Sequence, residues 1–112
     1  MTQDLSPNIQ DYLKRIYEIT RGGGKAYTSQ LAETLGISPA SVTNMLQKLS
    51  KTQPPYVTYQ KHHGVKLTED GQLAALKILR RRRLIEAYLV QKLGYTWDEV
   101  HQEAEILEHA IS

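Results

Sequence analysis

The chain contains no cysteine, which excludes disulfides, thiolate zinc sites and cysteine nucleophiles. No apolar run approaches the ~20 residues that a membrane-spanning helix needs. The start, MTQDLSPN, has neither the basic nor the apolar region of a signal peptide. These absences lead to the expectation of a cytoplasmic protein with no membrane partner. Basic residues are missing from one whole region, because all 14 Lys and Arg lie at or before Lys92. Residues 1–92 carry 14 basic and 7 acidic groups, a net +7. Residues 93–112 carry five acids (Asp98, Glu99, Glu103, Glu105 and Glu108) and no Lys or Arg, a net −5. The overall charge of +2 therefore hides two opposed parts. A basic body suits a polyanion, and an acidic tail with histidines suits a cation. The "GGGK" of Gly22–Lys25 lacks the spacing and the Ser/Thr of a phosphate loop and is read as a flexible connector.

What is present is enough for one compact domain or two small helical lobes: 112 residues, 40% of them hydrophobic. Ser6-Pro7 is a cap followed by proline at the first helical position. Ile9, Tyr12, Leu13, Ile16, Tyr17 and Ile19 then recur at helical spacing, until Gly22-Gly23-Gly24 ends the helix. Thr28 is expected to cap a second, short helix that buries Leu31, Ala32 and Leu35 before Gly36 breaks it. Ser38-Pro39 repeats the cap-plus-proline start, and a third helix turns Val42, Met45, Leu46 and Leu49 inward. Two short helices across a tight turn make a helix-turn-helix. Pro54-Pro55 stops helical structure. "YVTYQ" then alternates like a strand, "KHHG" turns and "VKL" returns, forming a wing. Thr68-Glu69-Asp70 opens a helix that reaches about Leu93, roughly 37 Å long at 1.5 Å per residue. So long an edge helix is expected to pack against a partner subunit. Gly94 ends it, and Thr96-Trp97-Asp98-Glu99 is a capping box for a last helix running towards Ile111. The predicted fold class is mainly α: a winged helix-turn-helix DNA-binding unit over 1–67, then a helical dimerisation and metal-binding lobe over 68–112.

The third helix presents Ser38, Ala40, Ser41, Thr43, Asn44, Gln47 and Lys48 on its early and outer positions. Small hydroxyl residues let a helix sit deep in the major groove, Asn and Gln pair with base edges, and Lys contacts phosphate. Thr28 and Ser29, at the start of the second helix, join these DNA-binding candidates, as do Lys61, His62 and His63 at the wing tip. The competing reading is a metal-independent winged-helix module that binds DNA or protein. The run Arg80–Arg83 spans a full turn, so its members cannot all face DNA, and some are expected to face the acidic last helix.

"HQEAEILEH" (His101–His109) poses the second question. At 100° per residue, Val100, Ala104, Leu107 and Ile111 share a stripe roughly 60° wide. With His101 at zero, Glu105 lies near about +40°, Glu108 near about −20° and His109 near about +80°. These four form a second stripe at the boundary between core and water. One face supplies an incomplete metal shell, so the pattern leaves a metal site and a wet helix face equally open. It is not HExxH, no substrate loop is evident, and no enzyme is expected.

The stretches "DYLKRIYEI", "LAETLGISPASVTNMLQKL", "GVKLTEDG" and "DEVHQEAEILEHAIS" resemble the diphtheria-toxin-repressor family of metal-dependent transcription repressors. The likeness covers almost the whole chain. It implies a homodimer that binds a double-stranded DNA operator and represses metal-uptake genes when metal is plentiful. It also implies a primary metal site of Asp11, Glu105, Glu108 and His109. Asp11 and Glu105 match the manganese-responsive branch, whereas iron-responsive members have methionine and cysteine there. Three carboxylates and an imidazole, with no sulfur, suit Mn²⁺, with Fe²⁺ as the alternative. The chain departs from the branch at its second metal position, where Lys14 and Arg82 replace ligating residues. Arg82 is expected instead to substitute its charge for that cation and to pair with Glu86 or Glu105. The iron branch's ancillary site would draw on Glu86 and His101. Family members continue with another helix, so a longer protein is expected, with Ser112 capping the next helix.

Overall fold

The computed structural model describes residues 7–94 and 96–110, apart from the side chains of Pro7, Trp97, Asp98 and His109. The expected cap Ser6 and the apolar Ile111 lie outside the described residues. Helix α1 (Pro7–Thr20) buries Tyr12, Leu13 and Ile16 on one face. The glycine run after it is a closed turn: Gly23 N–H donates to Thr20 O at 2.9 Å, and Gly23 and Gly24 take φ of 98° and 92°. An L side chain resists that backbone. The chain next exchanges two hydrogen bonds between Ala26 and Val65, at 3.0 and 2.8 Å.

Helix α2 (Thr28–Leu35) begins one residue earlier in capping terms than the sequence reading held. Leu31 N–H donates to the Tyr27 carbonyl at 3.0 Å, so Tyr27 already accepts the first intrahelical bond and Thr28 lies inside the helix. The Gln30 side chain reaches back to the Tyr27 N–H at 2.9 Å and supplies the cap that Thr28 does not. Gly36, at φ 69°, turns the chain. Ser38 caps helix α3 (Pro39–Leu49) by accepting the Ser41 N–H at 3.2 Å. Strands β1 (Val57–Gln60) and β2 (Gly64–Leu67) pair antiparallel, with Val57 opposite Leu67 and Thr58 opposite Lys66. Alternation points Val57 and Val65 into the core and Thr58, Gln60 and Lys66 outward. Tyr12, Ile16, Leu31, Val42, Leu46 and Leu49 complete that core, locking α1, the helix-turn-helix and the wing into one unit. Burial raises the pKa of the Tyr12 phenol above its ordinary value.

Helix α4 (Glu69–Leu93) is the spine that carries this unit to the rest of the chain. Its first half packs Ala75 and Ile78 on Leu13 of α1. Its last turns pack Leu89 against Val100 and Ala104 of α5 (Trp97–Ala110). Gly94, at φ 71°, ends it. Across the α5 start, Thr96 N–H donates to Glu99 Oε1 at 2.9 Å, and Glu99 N–H donates to Thr96 Oγ1 at 3.3 Å. Hydrogen bonds from the Thr96 backbone N–H and hydroxyl hold the Glu99 carboxyl below its ordinary pKa. No helix of the described residues is long and apolar enough to cross a membrane.

The joint between wing and spine is tight. Thr68 N–H donates to Tyr56 O at 3.0 Å, its hydroxyl donates to Pro55 O at 2.6 Å, and the same hydroxyl accepts the Gly71 N–H at 3.0 Å. A Cβ on Gly71 would lie 2.0 Å from the Tyr56 carbonyl oxygen. Backbone would have to move to admit it. Gly71→Ala is therefore expected to lower stability by about 2 kcal/mol or more, despite the better helix propensity of alanine. Urea unfolding followed by circular dichroism measures it, and an unchanged or raised midpoint contradicts this account.

A candidate metal centre and nucleic-acid interface

Three helices meet where the winged unit joins α5. Helix α1 contributes Asp11 and Lys14 one turn apart, α4 contributes Arg82, and α5 contributes Glu105 and Glu108. Lys14 Nζ lies 2.8 Å from Glu108 Oε1 and 3.6 Å from an Asp11 carboxylate oxygen. Arg82 Nη2 lies 2.8 Å from Glu105 Oε2 and 3.5 Å from Glu108 Oε1. Two carboxylates near the chain's ends are thus gathered on one ammonium group, and a third is drawn in by the guanidinium.

Burial within this cluster is uneven. Glu108 is 1% exposed, whereas the Glu105 side chain is 50% exposed. The sequence angles put both at the edge of the core, but Glu108 lies inside it. Counter-charges from α1 and α4 make that burial tolerable, since an ionised carboxylate without a partner is strongly disfavoured there. Glu108 Oε2 is buried and has no hydrogen-bond partner among the described residues. Such an acceptor is the kind of atom a hard cation satisfies.

The sequence-derived metal set therefore comes together in part. Asp11 and Glu108 share a cation, and Glu105 joins through Arg82. His109 lies on the same helix, but its side chain is outside the described residues. Among the described side chains, no three His, Asp or Glu groups converge as a ready metal shell. The second pair, Glu86 and His101, is in contact at 3.1 Å between Oε2 and Nδ1. Arg82 takes Glu105 rather than Glu86, and Glu86 takes His101.

The basic face is built from α2, α3 and the wing. Ser29, Ser38, Ala40, Ser41, Asn44, Gln47 and Lys48 are exposed, while Thr28 and Thr43 are half-buried. Lys61, His62 and His63 form the wing turn and are exposed, with His62 at φ 68°. A shallow cleft of about 220 Å³ lies beside them, lined by Lys25, Thr58, Gln60, His63, Gly64 and Lys66. Sequence reasoning missed Lys25, Thr58, Gln60 and Lys66. Strand alternation puts Thr58, Gln60 and Lys66 on one outward face and was available as a signal. Lys25 reaches that face only through the Ala26–Val65 bridge, which no local pattern announces.

Residues 4–65 match the family model described as iron dependent repressor, N-terminal DNA binding domain. Residues 68–112 match the iron dependent repressor metal binding and dimerisation domain. The HTH-type transcriptional regulator MntR of Geobacillus kaustophilus is 34% identical over 107 residues, covering 96% of this chain and 74% of that protein. An HTH-type transcriptional regulator of Methanocaldococcus jannaschii is 40% identical over 109 residues, covering 96% of this chain and 86% of its own. A manganese-dependent transcriptional repressor solved in complex with manganese superposes with a TM-score of 0.77 at 44% identity, covering 93% of this chain. The chain spans about half the length of that solved structure, 47%. With both halves matched in order, and with a winged helix-turn-helix followed by a helical lobe, this chain belongs to the iron-dependent repressor family, that of the diphtheria-toxin repressor.

Proposed function

We propose that this chain is a metal-responsive, DNA-binding transcriptional repressor of metal-uptake genes, with Mn²⁺ as co-repressor and Fe²⁺ as the alternative. It acts in the cytoplasm as a homodimer and is not an enzyme. It divides into a winged DNA-binding unit over 1–67 and a dimerisation and metal-binding lobe over 68–112. The carrying observation is the carboxylate cluster of Asp11, Glu105 and Glu108 at the joint of these two parts, with one buried Glu108 oxygen unpartnered among the described residues.

Asp11, Glu105, Glu108 and His109 would hold the ion, and the donors present fit one hard divalent cation. When bound, it supplies positive charge and directional bonds to groups from both parts of the chain. Asp11 lies on the helix that packs under the helix-turn-helix, so its position is transmitted to α3 through Tyr12 and Ile16. Glu108 anchors the other side through α5, which Leu89, Val100 and Ala104 fasten to α4. Tightening this joint fixes the winged unit relative to α4. In a two-fold dimer, that sets two recognition helices against successive major grooves, roughly 34 Å apart. Glu86 and His101 remain the pair a second ion would use. The similar solved structure is itself described as manganese-dependent, which supports the choice of ion.

Homodimerisation is supported by an apolar face on α4 that is left exposed among the described residues. Leu73, Leu76, Leu84 and Tyr88 are 54, 43, 61 and 56% exposed and fall within about 120° of helix arc. DNA binding is supported by the exposed polar face of α3 and by the basic wing. Thr28, Ser29, Ser38, Ala40, Ser41 and Thr43 approach the backbone and groove floor, Asn44 and Gln47 face base edges, and Lys48, Lys61, His62 and His63 face phosphate.

The deciding experiment is a titration against a duplex library with each metal and with chelator. Asp11→Ala is expected to abolish metal-stimulated binding while leaving the circular dichroism spectrum unchanged. Equal wild-type affinity with metal and with chelator would sink the reading in favour of a metal-independent winged-helix module.

Three further outcomes follow from the same surfaces. Lys25→Gln and Lys66→Gln should each weaken binding evenly across sequences and reduce the salt-dependence slope by about 1. Asn44→Ala should instead cost about 1–3 kcal/mol on the preferred operator and relax its specificity. A sequence-dependent loss from the lysine variants would contradict this division. Leu84→Glu should convert the dimer to a monomer in sedimentation equilibrium, and an unchanged mass would remove α4 from the interface.

A further inference from the structure

Lys14 and Arg82 stand where a site open to cations would leave carboxylates facing one another. Lys14 is 9% exposed, and its ammonium joins α1 to the buried Glu108 of α5 across 94 positions of sequence. Arg82 joins α4 to the same α5 through Glu105 and Glu108. The formal charges of Asp11, Glu105 and Glu108 sum to −3 and those of Lys14 and Arg82 to +2, which leaves −1 among these five residues before any ion is added. A cluster left at −3 would push its helices apart. This one has little repulsion left to relieve.

We propose that Lys14 and Arg82 are built-in cations that clamp α5 to α1 and α4, so that α5 stays docked without metal and the ion adds only the final tightening of the joint. For what the joint controls, this rests on the repressor reading above. The clamp narrows the ion's task to one position, served by the remaining Glu108 oxygen and its neighbours, and leaves a basal DNA-competent population in the metal-free protein. Burial distinguishes the two arms. The Lys14–Glu108 arm is inside the protein, so its loss leaves a buried carboxylate uncompensated. The Arg82–Glu105 arm is half-exposed and partly screened by solvent and salt.

Hydrogen exchange of the full chain, in chelator and in excess Mn²⁺, reads the clamp from the α5 amides, with the α3 amides as an internal reference. The wild type in chelator should keep α5 protection within about threefold of its Mn²⁺ form. Lys14→Met in chelator should lose about 100-fold in α5 but not in α3. Lys14→Arg should retain protection, and Mn²⁺ should restore it to Lys14→Met, which loss of ordinary packing would not allow. The clamp is overturned if Lys14→Met in chelator matches the wild type, or if wild-type α5 opens in chelator as far as the variant does. Should Lys14→Met unfold throughout, Arg82→Gln reads the second arm. About threefold loss in α5 alone supports the clamp, and no loss overturns it. Mn²⁺ protecting no variant, with α5 of Lys14→Met open, leaves the clamp standing and sinks the metal reading instead.

Discussion

The Lys14–Glu108 ion pair, 2.8 Å long and almost wholly withdrawn from water, ties the first helix to the last. Its geometry carries more than its own energy. A lone buried carboxylate would be strongly disfavoured at Glu108, so the docking of α5 on α4 leans on the ammonium that α1 delivers at 2.8 Å, with Arg82 of α4 farther off at 3.5 Å. The helix that supports the DNA-reading unit is thereby bound to the helix that carries the acidic face. Arg82 adds a second, wetter tie from α4. The remaining chemistry of the joint, Asp11 on one side and Glu105 on the other, is arranged around these two cations.

The rest of the architecture transmits that joint outward. Helix α4 does so by length alone, with its first half packed on Leu13 and its last turns packed on α5. Gly71 permits the close approach of the Tyr56 carbonyl and seats the wing on the spine. Tyr12 and Ile16 share a core with Leu31, Val42 and Leu46, so movement of α1 is movement of the helix-turn-helix. The apolar face of α4 and the polar face of α3 are thereby linked through α1, whose residues enter both cores.

Much of this was legible because the cues are local. Ser38-Pro39 and Thr96 with Glu99 cap the helices where they were expected to, and Gly94 ends α4 where its left-handed backbone is needed. The alternation of "YVTYQ" and "VKL" yielded the wing with nearly correct ends. At Thr28 the cue misled: its hydroxyl before the apolar run looks like a cap, yet Gln30 performs that work from inside the helix. The link from Asp11 to the acidic helix came from family resemblance, since no periodicity relates residues so far apart. The cleft that combines Lys25 with Lys66 was missed because a single bridge between distant segments creates it.

The sequence by itself determined the elements, their order, the apolar stripe of α5 and the opposed charges of the two regions. Each of these depends on residues within a few positions of one another. Only the tertiary structure decided that Glu108 is inside rather than at the rim, that Lys14 and Arg82 rather than open space face the carboxylates, and that Glu86 keeps company with His101. Those outcomes depend on which charges meet when distant helices pack, and the desolvation of an ion is set by its whole surroundings rather than by its neighbours in the chain.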